Sequence, residues 1–305
     1  LNSPIAQLHG VSKSYGRRSA LTDVSFRILP GVTGLLGPNG SGKSTLIKAL
    51  LGLVRVDAGG GEVLGLQWPQ QARALRDRVG FLPEDDCYIH GLQGIESIQM
   101  MARLSGLHRK EALRRAHELA DFSDLGQERY RHVETYSTGM RQKLKFAQAL
   151  VHDPDLVVLD EPTTGLDPAQ RESLLERIRV LSRQKGKSVL LSTHILHDVQ
   201  RVCDQVIILV RGQVRLMDSM ANLQRPSQAT LSVNVVSEAA RLQAALADQG
   251  IQSDLSSPQE LLVRGEAIDT SMVWAASHAC KVLIQRMEPA RNSLEQTFLD
   301  AVKGS

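Results

Sequence analysis

The densest chemistry in this 305-residue chain lies in Gly37-Pro38-Asn39-Gly40-Ser41-Gly42-Lys43-Ser44. These residues fit the spacing G-x-x-x-x-G-K-[ST] at every fixed position. The glycines let backbone N–H groups converge on phosphate oxygens, where a Cβ would block the approach. The Lys43 ammonium is then placed for the β- and γ-phosphates of a nucleoside triphosphate, and the Ser44 hydroxyl for a Mg²⁺ ion. Thr45 continues into a helix whose positive N-terminal end faces the same phosphates. The motif implies a nucleoside triphosphate and leaves the family open.

A second constellation, Asp160-Glu161-Pro162, follows the apolar run Leu156-Val157-Val158-Leu159. Acidic residues at the carboxyl end of a parallel strand lie where open α/β sheets bind ligands. Asp160 is the natural partner of the Mg²⁺ shell beside Ser44. Glu161 stands next to the γ-phosphate, where a carboxylate accepts a proton from attacking water or orients it.

The elements that must hold these groups are legible in outline. Gly34-Leu35-Leu36-Gly37 reads as a buried strand, and Leu46, Ile47, Leu50 and Leu53 recur at helical spacing over 43–53. Strand, glycine-rich loop and helix follow one another directly. From about 85 to 151 the pattern turns helical, with Ile95, Ile98, Met101 and Ala102 on one face and Met140, Leu144, Ala147 and Val151 on another. The runs 156–159, 188–191 and 206–210 are continuously apolar, as expected of strands covered on both faces of a mostly parallel sheet. An α/β fold follows. At Gln224-Arg225-Pro226-Ser227-Gln228 the composition shifts to a linker. Beyond it, alternating Leu231, Val233 and Val235 predict a strand, then come a helix over 239–247 and strands near Ile251 and 261–263. A helix over 271–276, a strand at 282–284 and a helix over 293–302 complete a βαββαβ-plus-helix order compatible with a ferredoxin-like α+β domain.

Composition bounds the function classes. The chain is 42% hydrophobic, 23% charged and 4% aromatic, with a formal net charge of +3, so charge argues for no nucleic-acid partner. Cys87, Cys203 and Cys280 share no metal-type spacing and read as small apolar residues of a reducing compartment. Residues 1–10 carry no signal-peptide pattern. No apolar run approaches the roughly 18–20 residues that span a bilayer, so membrane work would pass through a partner.

Tyr136-Ser137-Thr138-Gly139-Met140-Arg141-Gln142 resembles the ABC signature, usually Leu-Ser-Gly-Gly-Gln, in the Tyr-Ser-x-Gly-Met-Arg-Gln form frequent in bacterial ABC exporter ATPases. With the phosphate loop, it makes the chain similar to ABC ATPases over about residues 5 to 220. The resemblance implies a P-loop ATPase domain over 1–223, with a helical signature subdomain at about 85–150 and an accessory domain over 224–305. It also implies roles for further residues. Tyr15 resembles the aromatic that stacks on adenine, and Asp167, in Gly165-Leu166-Asp167, resembles the D-loop residue that crosses between subunits. His194 resembles the switch histidine, which hydrogen-bonds the γ-phosphate and joins Glu161 and Lys43 in catalysis. Three departures stand out. Glu84 replaces the family's Q-loop glutamine, where a carboxylate still ligates Mg²⁺ or orients water but sits unfavourably near phosphate unless metal screens it. Thr138 and Met140 replace the signature's first glycine and its glutamine, while Ser137 and Gly139 are kept.

By the same resemblance, the signature segment covers the ATP held by an opposite subunit. A head-to-tail dimer with two ATP molecules between its subunits is therefore implied, formed with a second copy or with a related ATPase. Integral membrane transporter subunits are the expected further partners, and the cytoplasmic face of the cell membrane the expected location. Tyr88, Ile89, Leu92 and Ile95 are candidates to line the groove that receives the membrane subunit, with core packing as the alternative. The 224–305 region regulates, dimerises or contacts a partner. Rival readings are a soluble ABC ATPase acting on DNA or the ribosome, and a P-loop small-molecule kinase. The first lacks the long coiled-coil insertion or second ATPase domain of such proteins. The second is disfavoured by the signature and by Glu161.

Overall fold

A computed structural model describes residues 3–86, 88–223, 230–265, 270–289 and 294–303. Cys87, the linker Gln224–Gln228 and Ser293, the expected start of the last helix, lie outside the described residues.

The strands are β1 (Ala6–Tyr15), β2 (Arg18–Ile28), β3 (Val32–Leu36), β4 (Ala58–Val63), β5 (Leu66–Trp68), β6 (Val79–Leu82), β7 (Leu156–Asp160), β8 (Ser188–Thr193), β9 (Gln205–Val210), β10 (Gln213–Ser219), β11 (Thr230–Val235), β12 (Gln252–Ser257), β13 (Glu260–Arg264) and β14 (Ile284–Pro289). The helices are α1 (Lys43–Leu50), α2 (Ala72–Arg76), α3 (Gly94–Leu104), α4 (Arg109–Phe122), α5 (Thr138–Ala149), α6 (Pro168–Arg183), α7 (Leu196–Val202), α8 (Met220–Leu223), α9 (Ala239–Ala247), α10 (Thr270–Ala279) and α11 (Leu294–Lys303). They form two compact units, Leu1–Met220 with Phe298–Ser305, and Ala221–Thr297.

In the first unit a six-stranded sheet runs β10-β9-β3-β8-β7-β6, parallel from β9 to β6 with β10 antiparallel at the edge. Every residue of β3, β7, β8 and β9 is buried, which is why these strands read as unbroken apolar runs instead of alternating. A second, antiparallel sheet runs β2-β1-β4-β5. Leu46, Ile47 and Leu50 of α1 share one core with Leu8, Val24 and Ile28 of the antiparallel sheet and Leu35, Val158 and Ile207 of the parallel one. The phosphate loop and its helix are thus anchored from both sides.

The helix α1 stops at Leu50, short of the expected Leu53. Gly52 adopts φ +65°, the Leu53 N–H donates to the Lys48 carbonyl and the Gly52 N–H to the Ala49 carbonyl. This is a Schellman ending, which glycine enters without Cβ strain. Between β6 and β7, α3, α4 and α5 pack together. Phe122 and Phe146 stack at 6.1 Å, and the buried Gln148 amide donates to the Ser97 hydroxyl at 2.8 Å.

The second unit is the split βαβ arrangement. Its order is β12-β13-β11-β14, all neighbours antiparallel, with α9 and α10 as crossovers. Val233, Val235, Leu242, Leu246, Leu261 and Val273 form its core. Its last strand begins at Ile284 and not at Val282. The Val282 N–H donates to the Ser277 carbonyl, so this residue finishes the helix turn before the strand starts.

Candidate functional site

The loop between β3 and α1 opens one side of a cleft of about 750 Å³. Asn39, Gly40, Ser41, Gly42, Lys43, Ser44 and Thr45 line it together with Tyr15, Glu84 and Glu161. Residues that are 15, 84 and 161 in the chain therefore meet around one phosphate loop. Gly37 and Pro38 stand behind that surface: the Gly37 carbonyl accepts from Lys43 Nζ at 2.8 Å, and the Pro38 carbonyl from the Ser41 N–H at 3.1 Å. A Cβ on Gly37 would come within 2.3 Å of the Leu209 carbonyl oxygen. At Gly42, with φ +105°, it would come within 2.7 Å of the Ala20 carbonyl oxygen. The loop's backbone is free to face a ligand because these two sites carry no side chain.

Glu161 is the electrostatic centre. It follows the last residue of β7 with φ +49°, a left-handed conformation that a non-glycine residue holds only when its surroundings fix it. They do so here. Its N–H donates to the Ser192 carbonyl at 2.9 Å, Oε1 lies 3.6 Å from Lys43 Nζ, and Oε2 lies 2.9 Å from His194 Nδ1. The Glu161 and Lys43 side chains are each 7% exposed, whereas His194 is 47% exposed. A carboxylate only accepts, so Nδ1 carries the imidazole proton in this contact. His194 directly follows β8, and Thr193 Oγ1 accepts the Ile195 N–H at 3.0 Å, turning the chain at that point.

Asp160 lies deeper, 3% exposed, and is not on the cleft surface. Burial raises its carboxyl above the usual range, opposed by the hydroxyls of Ser192 and Ser44. Its Oδ1 and the Ser41 Oγ are buried without a hydrogen-bond partner. Among the described residues no group of three or more His, Cys, Asp or Glu side chains is placed to cage a metal ion. Mg²⁺ is held by one or two protein oxygens together with phosphates and water, so the oxygens near the phosphate loop are the ones to weigh. Ser44 and Asp160 are the residues that fit it, with Glu84 exposed across the cleft.

Tyr15 ends β1, where Tyr15 pairs with Arg18 across a hairpin, and is 51% exposed in the cleft with Lys13 Nζ 5.2 Å from its ring centre. Arg18, Ser19, Arg211 and Gly212 also line the cleft and were not foreseen. They arrive from a hairpin and a strand turn that have no local motif, although the Gly212 N–H donates to the Ser41 carbonyl at 2.8 Å.

Ser137, Thr138, Gly139 and Met140 do not line this cleft. Ser137 caps α5, its Oγ accepting the Met140 N–H at 3.3 Å. Burial pushes the neighbouring Tyr136 hydroxyl up to about 12, and it donates to the Glu128 carbonyl at 2.7 Å. Asp167 likewise caps α6, Oδ1 accepting the Gln170 N–H at 2.8 Å, and stays outside the cleft. The two caps are neighbours, since a Cβ on Gly139 would come within 2.2 Å of Gln170 Oε1. A further residue was missed. Asp198 is fully buried and accepts from Thr163 Oγ1 and Arg171 Nε, each at 2.6 Å, tying the loop after Glu161 to α6 and α7.

Of the four groove candidates, Ile95 takes the alternative, core packing. Ile95 is 6% exposed and belongs to the core. An apolar groove of about 360 Å³ lies elsewhere, lined by Leu51, Leu53, Phe81 and Met101 with Pro83 and Lys145, and by none of Tyr88, Ile89, Leu92 and Ile95. Helical spacing placed Ile95 on an apolar face but did not say that α4 and α5 cover that face. Cys203 is buried and Cys280 half-buried, both as free thiols, and burial pushes the Cys203 thiol up.

Comparison with known proteins adds four findings. A family model described as ABC transporter matches residues 21–164. The chain is 36% identical over 228 residues to an uncharacterized ABC transporter ATP-binding protein, YdbJ, of Bacillus subtilis, covering 74% of this chain and 72% of that protein. It is 39% identical over 204 residues to the Nod factor export ATP-binding protein I of Rhizobium etli, covering 67% of this chain and 64% of the relative. In fold, it matches the ATP-binding cassette MJ0796, solved as a dimer in a post-hydrolysis state with ADP and Pi. That match has a TM-score of 0.65 at 23% identity, over 70% of this chain and 98% of that one.

Proposed function

The chain belongs to the ABC transporter family of ATP-binding proteins, and on that premise we propose that it is the ATP-hydrolysing subunit of an exporter. Glu161 acts as the base that activates water. The observation that carries this reading is the position of the Glu161 carboxylate between Lys43 and His194, at the mouth of the phosphate loop.

The roles follow from the two oxygens. Lys43 moves from the Gly37 carbonyl and Glu161 Oε1 to the β- and γ-phosphates. That leaves Oε1 open to accept a proton from water, while His194 holds Oε2 and with it the carboxylate's orientation. Through its exposed edge, His194 also meets the γ-phosphate, which calls for the imidazolium or a turned ring, because Nδ1–H is already given to Glu161. Ser44 and Asp160 would hold Mg²⁺, which would supply charge neutralisation to the phosphates when bound. Tyr15 offers its ring to the adenine, and the amides of residues 39–45 bind the phosphates.

Ser137 and Gly139 lie away from the chain's own cleft, which supports their use over the nucleotide of a second subunit, with Asp167 beside them. Two subunits then join head to tail, and loss of the γ-phosphate contact on hydrolysis loosens them. Among the described residues no helix is long and apolar enough to cross a membrane. The reading therefore gives the span to membrane subunits, which seat in the groove of Leu51, Leu53, Phe81 and Met101 and hold this chain on the cytoplasmic face. Residues 1–223 form the ATPase domain and 224–305 an accessory domain; the compact unit Ala221–Thr297 supports this division, except that Phe298–Ser305 group with the first unit.

Affinity purification from native membranes tests the assignment. Recovery of a multi-spanning protein is expected, and recovery of ribosomes or DNA-repair partners in its place would overturn the exporter reading. Lys43→Ala abolishes nucleotide binding, measured with a fluorescent ATP analogue; undiminished affinity would remove the phosphate-loop assignment.

A further inference from the structure

We propose that Lys145 is a positioning residue for hydrolysis: its ammonium fastens the backbone that carries Glu84 to the signature helix α5, and so fixes where the Glu84 carboxylate stands in the nucleotide cleft. The proposal rests on the ATPase reading above and concerns residues that reading leaves without a role.

Lys145 is 4% exposed, an unusual place for an ammonium unless its donors are met. Its Nζ donates to three consecutive carbonyls, those of Pro83 and Glu84 at 3.0 Å and Asp85 at 3.3 Å. Bonds to three successive carbonyls mean that the chain after β6 is curled around this one nitrogen. A purely structural lysine satisfies itself with any carbonyls in reach, whereas these belong to the one segment outside the phosphate loop and β7 that places a carboxylate in the cleft.

A second grip lies one turn earlier on α5. Arg141 Nη1 donates to Asp86 Oδ2 at 2.9 Å, and its guanidinium lies 5.1 Å from the Tyr88 ring centre. Asp86 Oδ1 is also 3.9 Å from Lys145 Nζ. Glu84 itself is exposed, so its aim is set by the backbone beneath it. Because α5 is capped by Ser137, a displacement of the signature carries Glu84 with it. Events at a neighbouring subunit's nucleotide then reach this chain's own cleft through rigid contacts, without a change in the phosphate loop.

The test uses the full chain with Lys145→Met, which removes the ammonium at similar length, and Lys145→Arg, which keeps charge and donors. A misplacement of about 1 Å costs on the order of 100-fold in rate, so partial release in Lys145→Met lowers kcat by about ten- to hundredfold. KM for ATP moves by less than about threefold, because binding is untouched. Amide hydrogen exchange over 83–91 quickens by about tenfold or more, while exchange over 37–45 does not change. Lys145→Arg restores both readouts. In a Glu84→Ala background, Lys145→Met costs less than about threefold, as expected of residues acting through one another. Unchanged exchange over 83–91, fast exchange with full kcat, or an undiminished loss in the Glu84→Ala background would each overturn the proposal. If Lys145→Met does not fold, Asp86→Asn weakens the second grip on the same segment, through Arg141 and the 3.9 Å approach to Lys145, and is held to the same outcomes. A wild-type chain without ATPase activity would undo the function reading instead, and the exchange result would still stand.

Discussion

Replacing Glu161 by glutamine separates two effects that one carboxylate produces. Glu161 Oε1 stands 3.6 Å from Lys43 Nζ, with both side chains 7% exposed. At an effective dielectric of about 20 that attraction is about 4–5 kcal/mol before desolvation, and a net 1–2 kcal/mol is the realistic remainder. Phosphate must draw Lys43 away from this partner. Glu161→Gln removes the competing charge and also the repulsion between carboxylate and phosphate, so Mg-ADP should bind about five- to thirtyfold more tightly. ADP is the ligand of choice because it lacks the γ-phosphate that would join subunits and mix dimerisation into the affinity. In the same variant, turnover of ATP should fall by about 100- to 10,000-fold, the usual range for losing a general base. Calorimetry with ADP and a phosphate-release assay measure the two sides. ADP affinity that is unchanged or weaker, in a variant with wild-type thermal stability, would refute the competition argument. Retained turnover would refute the base.

Glu84→Gln keeps substantial ATPase activity in a steady-state assay, since an amide still orients water and ligates metal; complete loss would mean that the charge itself is required. Gly37→Ala pushes a Cβ to within 2.3 Å of the Leu209 carbonyl, a backbone atom of the buried strand β9, and costs about 1–3 kcal/mol in urea unfolding along with nucleotide binding. His152 is held mainly by burial in its neutral form, below the ordinary histidine value, with Nε2 3.2 Å from the Val79 carbonyl. Its contribution to stability is full above about pH 6.5 and is lost as pH falls through that value toward the folded one. His152→Gln should therefore flatten the fall of the thermal midpoint between about pH 7 and 5; an unaltered slope would remove the assignment.

Much of the site was legible without coordinates because its parts are local. A phosphate loop needs glycines, lysine and a hydroxyl at fixed spacing, and residues 37–45 meet that need within one turn of chain. Asp160 and Glu161 were readable as the end of a fully buried strand, since a parallel sheet covered on both faces leaves an unbroken apolar run. The antiparallel sheet β2-β1-β4-β5 was harder to read. Its strands alternate weakly and its register shifts between Leu8 and Val11, so no clean period of two survives.

The sequence by itself pointed to ATP hydrolysis: the phosphate loop and the carboxylate pair suggest their tasks through side-chain type and spacing, and the signature through its resemblance to ABC ATPases. Only the tertiary structure decided how those parts act on one another. It set Glu161 between Lys43 and His194, turned Ile95 into the core, placed Ser137 away from the chain's own cleft, and wrapped the segment of Glu84 around Lys145. The Glu161–Lys43, Glu161–His194 and Lys145–Glu84 contacts join residues roughly 30 to 120 positions apart, closed by sheet order and helix packing. No local period encodes such a contact, because its energy belongs to both partners and exists only once the intervening chain has folded.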